Sequence, residues 1–306
     1  MKLKALSYYD GDKDTRFGDC IILHNTTSLI VYDCGHARHV EEVVNFLRSH
    51  LTIRTVSIVV SHNDGDHTNG VVDLLDYLYN NSYMVSLYSS LYLKSARKIL
   101  NILDDERRTL PATKKRILAL FDKIAEIVEK AQEYNFEICN ATIGTVLATG
   151  SIVGPSEDEF VAVVVAAIEG DSNIDGETVM NAASVQLKSK LDNAAITLLC
   201  GDASPEYLHN LGSYDIIQLP HHGKLSSAES IFEDLGGNAH LKTWLVSDNT
   251  GSAVNSGGSD ALMEYMEEEC FDLKRVHNTK LGAVVIPSNA TISSSPDKRP
   301  QGVKLG

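Results

Sequence analysis

The feature that most constrains this fold is an almost unbroken apolar run that ends abruptly in a cluster of polar residues. Residues 55–60 read Thr-Val-Ser-Ile-Val-Val, a β-branched pattern typical of a strand covered on both faces. Residues 61–67, which follow at once, read Ser-His-Asn-Asp-Gly-Asp-His. Polar residues that follow a buried strand gather at one edge of the sheet, where ligands and metals bind. The run therefore predicts an α/β protein with a polar site at a sheet edge.

Short apolar runs of the same kind recur in both halves of the chain. The strands predicted from them cover residues 3–8, 20–24, 28–33, 194–200, 214–220, 242–246 and 282–286. Helical spacing of apolar residues follows two of the early strands, at 40–47 and at 71–78. We therefore expect a single domain over residues 1–290, followed by a loosely ordered tail at 291–306.

Residues between about 80 and 140 interrupt the β-rich pattern with a charged, glycine-poor segment. Helices are predicted over 94–107 and 112–134, with Pro111 at the start of the second and an apolar stripe along it. We interpret the pair as a helical hairpin inserted into the domain. Such a stripe usually packs against a sheet or a second copy of itself, and the alternative role is a lid or substrate arm.

Composition argues against several classes of protein. The 306-residue chain carries 27 Lys and Arg against 41 Asp and Glu, a net charge of −14, which argues against a long basic groove along duplex phosphates. No run approaches 18 apolar residues, and the first ten residues lack the apolar stretch of a secretory signal, so no membrane segment or export is expected. Five scattered cysteines without a Cys-x-x-Cys pair indicate free thiols in a reducing, cytoplasmic setting.

Histidines and carboxylates are concentrated directly after the run at 55–60. His62, Asp64, Asp66 and His67 place four candidate metal ligands in six residues, a spacing that a helix would not bring to one face. A tight loop would do so, since glycine at position 65 permits an unusual backbone angle. Two imidazoles and two carboxylates exceed what one zinc ion usually takes from so short a segment, so the pattern predicts two neighbouring ions.

Two later strands also end in candidate ligands. One leads into Gly201-Asp202, and the next leads into His221-His222-Gly223. The Gly-Asp pair alone is common in turns, whereas paired histidines after a buried strand are a stronger signal. Together, the three segments predict one shared site. The following residue, Lys224, is a candidate contact for a substrate phosphate.

Six segments of the chain together resemble a known family. They read Phe-Gly-Asp-Cys-Ile-Ile-Leu at 17–23, Ile-Val-Tyr-Asp-Cys-Gly at 30–35, Val-Ser-His-Asn-Asp-Gly-Asp-His-Thr-Asn-Gly at 60–70, Asn-Ala-Ala-Ser-Val-Gln-Leu at 181–187, Leu-Leu-Cys-Gly-Asp-Ala at 198–203 and Leu-Pro-His-His-Gly at 219–223. In this order they resemble the metallo-β-lactamase superfamily, and most closely the hydrolase domain of the competence protein ComEC. The resemblance covers roughly residues 1–75 and 178–290, and it leaves about 80–175 without a counterpart.

The resemblance implies a four-layer αββα sandwich with a two-metal site along one edge. By analogy with the family, His62 and Asp64 would hold one ion, and Asp66 and His67 would hold the other. Asp202 would bridge the two ions. All five residues are present in this sequence at the positions that match the family's motifs.

The resemblance also implies roles for residues around these ligands. His221 or His222 would complete the second site, and His221 is favoured because it is nearer the end of its strand. Asp19 and Asp33 resemble the family's buried carboxylates that support the ligand loops. The residues expected to act directly in catalysis are Asp66, Asp202 and His221.

Three departures from the family pattern bear on the site. The superfamily usually has histidine where this chain has Asp64, which matches the ComEC-like pattern. It also has a histidine on an intermediate loop, and here Asn181 is the nearest candidate to replace it. The subgroup carries a His-Pro after an asparagine, but residues 255–259 of this chain read Asn-Ser-Gly-Gly-Ser, so any role of that histidine is lost.

The expected chemistry is hydrolysis assisted by two divalent metal ions, through attack of a metal-bound hydroxide. Three carboxylates and about three imidazoles favour zinc, with manganese as the alternative for a ligand set so rich in oxygen. The resemblance implies a phosphodiester substrate, either a nucleic acid or a nucleotide. The alternatives are an acyl or lactone hydrolase on the same scaffold, and a binding protein that has lost turnover.

The charge of the predicted insert bears on which substrate could bind. If the hairpin overhangs the metal edge, its basic residues would supply the positive surface that an acidic protein otherwise lacks, and nucleic acid could bind there. Those residues are Lys94, Arg97, Lys98, Arg107, Arg108, Lys114, Lys115 and Arg116. The sequence leaves the oligomeric state open.

Overall fold

All the predicted strands form, and each is shorter than the apolar run that predicted it. The computed structural model describes residues 1–7, 18–90, 96–103, 109–170, 173–174, 177–248 and 259–287. The strands, numbered in chain order, are β1 (Lys2–Ala5), β2 (Ile21–His24), β3 (Ser28–Tyr32), β4 (Thr55–Val59), β5 (Met84–Ser89), β6 (Glu137–Asn140), β7 (Val146–Leu147), β8 (Gly150–Gly154), β9 (Asn173–Ile174), β10 (Glu177–Thr178), β11 (Gln186–Lys190), β12 (Ile196–Leu199), β13 (Ile216–Gln218), β14 (Thr243–Val246), β15 (Val276–Asn278) and β16 (Val284–Ile286). The tail predicted at 291–306 lies outside the described residues.

The α-helices are likewise numbered in chain order. They are α1 (Ala37–Ser49), α2 (Gly65–Thr68), α3 (Val71–Asn80), α4 (Ala96–Leu103), α5 (Leu110–Leu120), α6 (Asp122–Glu133), α7 (Glu157–Glu169), α8 (Val179–Ala182), α9 (Leu225–Leu235) and α10 (Asp260–Glu268). In the part of the chain that the structure describes, none of these helices combines the length and the apolar content of a membrane span.

Fourteen of the described strands form two mixed sheets of seven strands each, and β9 pairs with β10 as a separate two-stranded sheet. The first has the order β16-β1-β2-β3-β4-β5-β6, with β3 to β6 parallel. The second has the order β15-β14-β13-β12-β11-β8-β7, with β12 to β15 parallel. Because parallel strands end at the same edge of a sheet, the segments after β3 and β4 share one edge, and those after β12, β13 and β14 share another. These are the segments that carry the candidate ligands.

Alternate side chains of each strand point to opposite faces of its sheet, and the buried ones form three apolar layers. In β3, Leu29 packs with α1 and α3 on the outer face of the first sheet, whereas Ile30 packs between the two sheets. In β14, Leu245 joins the layer between the sheets, and Trp244 packs with α9 and α10 on the outer face of the second. Each such buried side chain stabilises the fold by about 1.5–3 kcal/mol. The order helix, sheet, sheet, helix confirms the predicted αββα sandwich.

The insert contains three described helices rather than the predicted two. The segment predicted as one helix over 112–134 divides at Phe121, whose backbone leaves helical geometry, into α5 and α6. Phe121 is buried with its ring centroid 5.5 Å from that of Phe160, so packing of this side chain outweighs continuation of the helix. β5 and β6 flank the insert and pair with each other, so the ends of the predicted 80–140 segment belong to the first sheet.

Candidate metal centre

The ligand loop after β4 combines extended residues with a single helical turn. His62 and Asp64 precede α2, and Asp66 and His67 lie within it. The N–H of His67 bonds to the carbonyl of Asp64 at 3.1 Å, which closes the turn. The sequence predicts a tight loop for the whole segment. The extended residues and the turn thus give two groups, His62 with Asp64 and Asp66 with His67, and the ring centroids of His62 and His67 lie 4.1 Å apart.

Asp202 follows β12 and lies between these two groups. Its Oδ2 is 3.7 Å from Nε2 of His62 and 4.0 Å from Nε2 of His221. Its Oδ1 is 3.4 Å from Nε2 of His67. Asp64 belongs to the first group, with Oδ2 3.8 Å from Nε2 of His62. One carboxylate therefore faces a different group with each of its oxygens, the arrangement that a bridging ligand requires.

The two adjacent histidines reach different sides of the site. Nε2 of His222 lies 3.3 Å from Oδ2 of Asp66, and its ring centroid is 5.4 Å from that of His67. His221 faces Asp202 on the side of His62. The sequence analysis names either histidine beside Asp66 and His67 and prefers His221, whereas in the structure His222 lies beside Asp66. Both histidines adopt positive φ, 52° and 58°, and their rings are inclined by 72°, which sends consecutive side chains in different directions.

Asp33 fixes the orientation of both histidines in the ligand loop. Its Oδ2 accepts hydrogen bonds from Nδ1 of His67, at 2.9 Å, and from Oγ of Ser61, at 2.7 Å. Because the Ser61 hydroxyl donates to Asp33, its oxygen accepts from Nδ1 of His62, 2.9 Å away. Both rings therefore carry a proton on Nδ1, and in the neutral form of each ring Nε2 has a free electron pair.

His222 is oriented by a second carboxylate. Its Nδ1 lies 3.1 Å from Oδ1 of Asp19 and 3.0 Å from the carbonyl oxygen of Ser247, both of which accept only. One donor atom each of Asp19, His67 and His222 lies within 4.8 Å of the others, so that these three residues could also hold a metal ion. Asp19, however, meets the ring nitrogen that faces away from Asp66. It therefore supports His222 in the way that Asp33 supports the loop histidines.

Three donor atoms that point into the site have no hydrogen-bond partner among the described residues. Nε2 of His62, Nε2 of His67 and Oδ1 of Asp202 are all buried and unpartnered, although one donor atom of each residue lies within 4.8 Å of the others. Unpaired polar atoms at such a position are costly unless a cation binds them. Nitrogen and carboxylate donors with fixed second-sphere partners are the set that zinc and manganese take. These residues therefore fit a divalent metal centre.

Charges at the site shift the pKa of its members. Burial favours the neutral ring of His67, but the carboxylates of Asp202 and Asp33 raise its pKa well above the ordinary value. Burial also favours the neutral ring of His222, but the carboxylate of Asp202 raises its pKa well above the ordinary value. Burial opposes ionisation of Asp202, yet the two imidazoles hold its pKa well below the usual range. The pKa of His62 is lowered by burial and by its neighbour His67.

Exposure divides the candidate ligands into an inner and an outer set. The side chains of His62, His67 and Asp202 are 3% exposed or less. Those of Asp64 and Asp66 are 47% and 26% exposed. The outer residues are thus accessible to solvent, whereas the inner ligands are covered. His221, at 22%, belongs to the accessible set and lies next to Lys224, which precedes α9.

Asn181, the candidate to replace the intermediate histidine, lies in α8 and is buried. Its Oδ1 has no hydrogen-bond partner in the described part of the chain. The N–H of Val185, four residues on, bonds to the carbonyl of Ser61 at 2.8 Å, so this segment runs beside the ligand loop. His221 lies on the side of His62 and His222 lies beside Asp66, so the residue pair at 221–222 faces both sides of the site.

Two glycines allow the supporting segments to pack directly on the ligand loop. Gly18 has a φ of 62°, and a Cβ there would lie 1.6 Å from the backbone oxygen of Asp66. The N–H of Asp19 bonds to that same oxygen at 3.0 Å. At Gly201, with a φ of 53°, a Cβ would lie 2.8 Å from the side chain of Ser61. A larger residue at either position would separate the segments that carry Asp19 and Asp202 from the loop.

The insert adjoins the site through the residue between two candidate ligands. Asn63 accepts a hydrogen bond on Oδ1 from the N–H of Ile124, at 3.0 Å, and donates from Nδ2 to Asp122, at 2.9 Å. It therefore caps the start of α6 from the ligand loop. Of the predicted basic residues, Lys114, Lys115 and Arg116 are exposed on α5, whereas Lys98 pairs with Asp158. Lys94, Arg107 and Arg108 lie outside the described residues, as does the side chain of Arg97.

Sequence reasoning missed the polar residues that support the ligands from behind. Ser61, Ser247 and Gln218 all contact a candidate ligand or its supporting carboxylate. Gln218 gives the clearest signal in retrospect, since it is a lone polar residue in an apolar strand that reads Ile-Ile-Gln-Leu at 216–219. A polar group buried in that way must have a specific hydrogen-bond partner.

Comparison with models of protein families gives no match, and no curated protein matches the chain. Similar solved structures include the metallo-beta-lactamase fold protein YhfI from Bacillus subtilis, with 10% identity and a TM-score of 0.38 over 71% of this chain and 69% of that one. Human tRNase Z, short form (ELAC1), has 12% identity and a TM-score of 0.36 over 71% and 76% of the two chains. A long form RNase Z from yeast has 12% identity and a TM-score of 0.39 over 80% of this chain and 37% of that one. At these values the activity has to be inferred from the site itself.

Proposed function

We propose that the protein is a hydrolase that binds two divalent metal ions and cleaves phosphodiester bonds. The observation that carries the proposal is the set of buried donor atoms on His62, His67 and Asp202, which converge without hydrogen-bond partners among the described residues. The fixed protons on the opposite ring nitrogens support it, because they leave the inward nitrogens able to bind a cation.

When bound, two divalent ions would activate water as a nucleophile at neutral pH and would neutralise charge on the leaving oxygen. The chain's own residues would hold this arrangement in place. Asp202 would bridge the two groups, with His62, Asp64 and His221 on one side. His67, Asp66 and His222 would form the other side, and Asn181 is a further candidate on the first. The donor set of carboxylates and imidazoles favours zinc, with manganese as the alternative.

The choice of a phosphodiester rests on the ComEC-like motifs and on the positive charges of Lys224 and of the insert. Lys224 follows the histidine pair and offers an ammonium group to a phosphate. The exposed Lys114, Lys115 and Arg116 of α5 belong to the helical insert, which contacts the ligand loop through Asn63. A nucleic acid or a nucleotide would thus meet positive charge on the insert and bind its scissile phosphate at the metal edge.

The test compares the purified protein with two aspartate variants on two reporters, bis(p-nitrophenyl) phosphate and p-nitrophenyl acetate. We expect zinc or manganese in the parent and phosphodiester turnover that Asp66→Ala reduces by about 100-fold or more, since a metal ion supplies several kcal/mol of stabilisation. Asp73→Ala, which changes an exposed aspartate in α3, is the matched control and should retain activity.

Three results would contradict the proposal. Hydrolysis of the acetate alone would favour an acyl or lactone hydrolase. Metal binding without turnover of either reporter would favour a binding protein. A parent that retains no metal after incubation with zinc and manganese salts would remove the basis of the site.

A further inference from the structure

Gln218 ends β13 with its amide group buried and hydrogen-bonded at both ends. Its Oε1 accepts from the N–H groups of Cys200, at 3.0 Å, and Gly201, at 3.3 Å. Its Nε2 donates to Oδ2 of Asp19 at 2.8 Å. The reverse orientation would set the amide nitrogen against two N–H donors and its oxygen against a carboxylate, so the network fixes the amide in this direction.

This side chain links two candidate ligands that come from different segments. The two N–H groups that it binds belong to the residues directly before Asp202. The carboxylate that it binds accepts, through its other oxygen, the hydrogen bond from Nδ1 of His222 at 3.1 Å. Asp19 precedes a strand of the first sheet, whereas Gln218 belongs to the second, so the link also crosses between the sheets.

We propose that Gln218 is a positioning residue for metal binding, which sets Asp202 relative to His222 and keeps Nε2 of His222 available to a cation. The inference rests on the proposed function. An amide is needed because one side chain must accept from N–H groups and donate to a carboxylate. Glutamate at this position would lack the donor and would set a second negative charge beside Asp19.

The experiment titrates Co²⁺ into metal-free protein and follows the visible absorption of the bound ion. The variants are Gln218→Glu and, as the matched control, Gln186→Glu. Gln186 is equally buried in a strand of the same sheet, where its Nε2 donates to the carbonyl of Tyr207 at 2.8 Å. We expect the parent and the control to bind two equivalents. Gln218→Glu should bind one of the two at least about tenfold more weakly, the effect typical of residues that orient metal ligands.

A second substitution separates positioning from a general effect on folding. In the double variant Asp19→Asn/Gln218→Glu, the polarity of the link is reversed. The new amide donates to the new carboxylate, which still accepts from the N–H of Cys200, and the amide oxygen still accepts from His222. We therefore expect the double variant to bind the weakened equivalent more tightly than Gln218→Glu does. A merely structural role would make two buried substitutions worse than one.

The inference is overturned if Gln218→Glu binds both equivalents as the parent does, or if the double variant binds more weakly than the single one. Should Gln218→Glu fail to fold, Gln218→Met has a similar volume without the charge and carries the same expected loss. A parent that binds no Co²⁺ overturns the proposed function together with this inference. A parent that binds two equivalents regardless of residue 218 overturns this inference alone.

Discussion

Asp33 shows how one buried carboxylate can place a proton on the Nδ1 atoms of two candidate ligands. It accepts from Nδ1 of His67 directly and from His62 through the hydroxyl of Ser61. Its backbone has a φ of 60°, unusual for a residue other than glycine, and its N–H bonds to the carbonyl of Val59 at 2.9 Å. The chain thus adopts an unfavourable backbone angle at the position where the carboxylate must turn toward the ligand loop.

His39 is a residue whose contribution to stability should depend on pH. It is fully buried in α1, neither ring nitrogen has a partner among the described residues, and burial lowers its pKa to about 4 from 6.5. Between these values the unfolded chain binds the proton that the folded chain excludes. The contribution of the neutral His39 ring to the free energy of unfolding is therefore complete above pH 6.5. It is lost as the pH falls toward 4, and the loss is about 3 kcal/mol in all.

We predict that His39→Leu reduces the fall in unfolding free energy between pH 7 and pH 4.5 by about 2 kcal/mol. Urea denaturation of both proteins at each pH provides the measurement. His240→Leu, at an exposed position, is the control and should follow the parent. Equal pH dependence of the parent and His39→Leu would show that the proton on His39 has no effect on folding.

At the scale of elements, the site depends on segments that follow parallel strands. The segments after β3 and β4 supply Asp33 and the ligand loop, and those after β12 and β13 supply Asp202 and the histidine pair. The helical insert is connected to the same edge because α6 begins at the ligand loop. The two hydrogen bonds of Asn63 therefore join the insert to the site, in addition to the apolar contacts of Ile124 and Ile127 with the first sheet.

We predict that Asn63→Ala destabilises the protein by about 1 kcal/mol, the usual cost of removing a helix cap. The loss should be local, so the amide of Ile124 should exchange with solvent faster than in the parent, which hydrogen exchange measured by NMR would detect. Asn80→Ala, at an exposed position at the end of α3, is the control. Unchanged exchange at the start of α6 would mean that the insert is held by its apolar contacts alone.

At the scale of the whole molecule, the candidate ligands come from both sheets. His62, Asp64, Asp66 and His67 follow a strand of the first sheet, whereas Asp202 follows a strand of the second. The Tyr32 hydroxyl at the end of β3 donates a hydrogen bond to the carbonyl of Val185, which directly precedes β11 of the second sheet, at 2.6 Å. A cation shared by these ligands would add a further connection that the unfolded chain cannot offer.

Metal binding should therefore raise the stability of the entire fold. At a free metal concentration 100 times the dissociation constant, we predict a gain of about 2.7 kcal/mol in unfolding free energy, and its loss on addition of a chelator. Thermal melts with zinc, with manganese and with chelator measure the effect. In Asp202→Ala the difference in melting temperature between metal and chelator should be much smaller than in the parent, whereas Asp73→Ala should retain the full difference. A melting temperature that does not depend on metal would contradict the linkage.

The sequence by itself predicted eight of the described strands and the identity of most candidate ligands, and the order of the layers was implied by the family resemblance. Apolar runs such as that at 55–60 predict strands because side-chain alternation and burial act within a few residues, and the polar residues that end them mark the sheet edge. The division of the insert at Phe121 was not predictable, since it depends on packing against Phe160, 39 positions away in the chain.

Only the tertiary structure decided how the ligands are shared between the two sides of the site. The sequence could not distinguish His221 from His222, because their directions depend on two consecutive left-handed backbone angles. Nor could it assign a role to Gln218, whose partner Asp19 lies 199 residues away. Local patterns record which groups are present, whereas hydrogen bonds between distant segments determine which atom of each group faces the site.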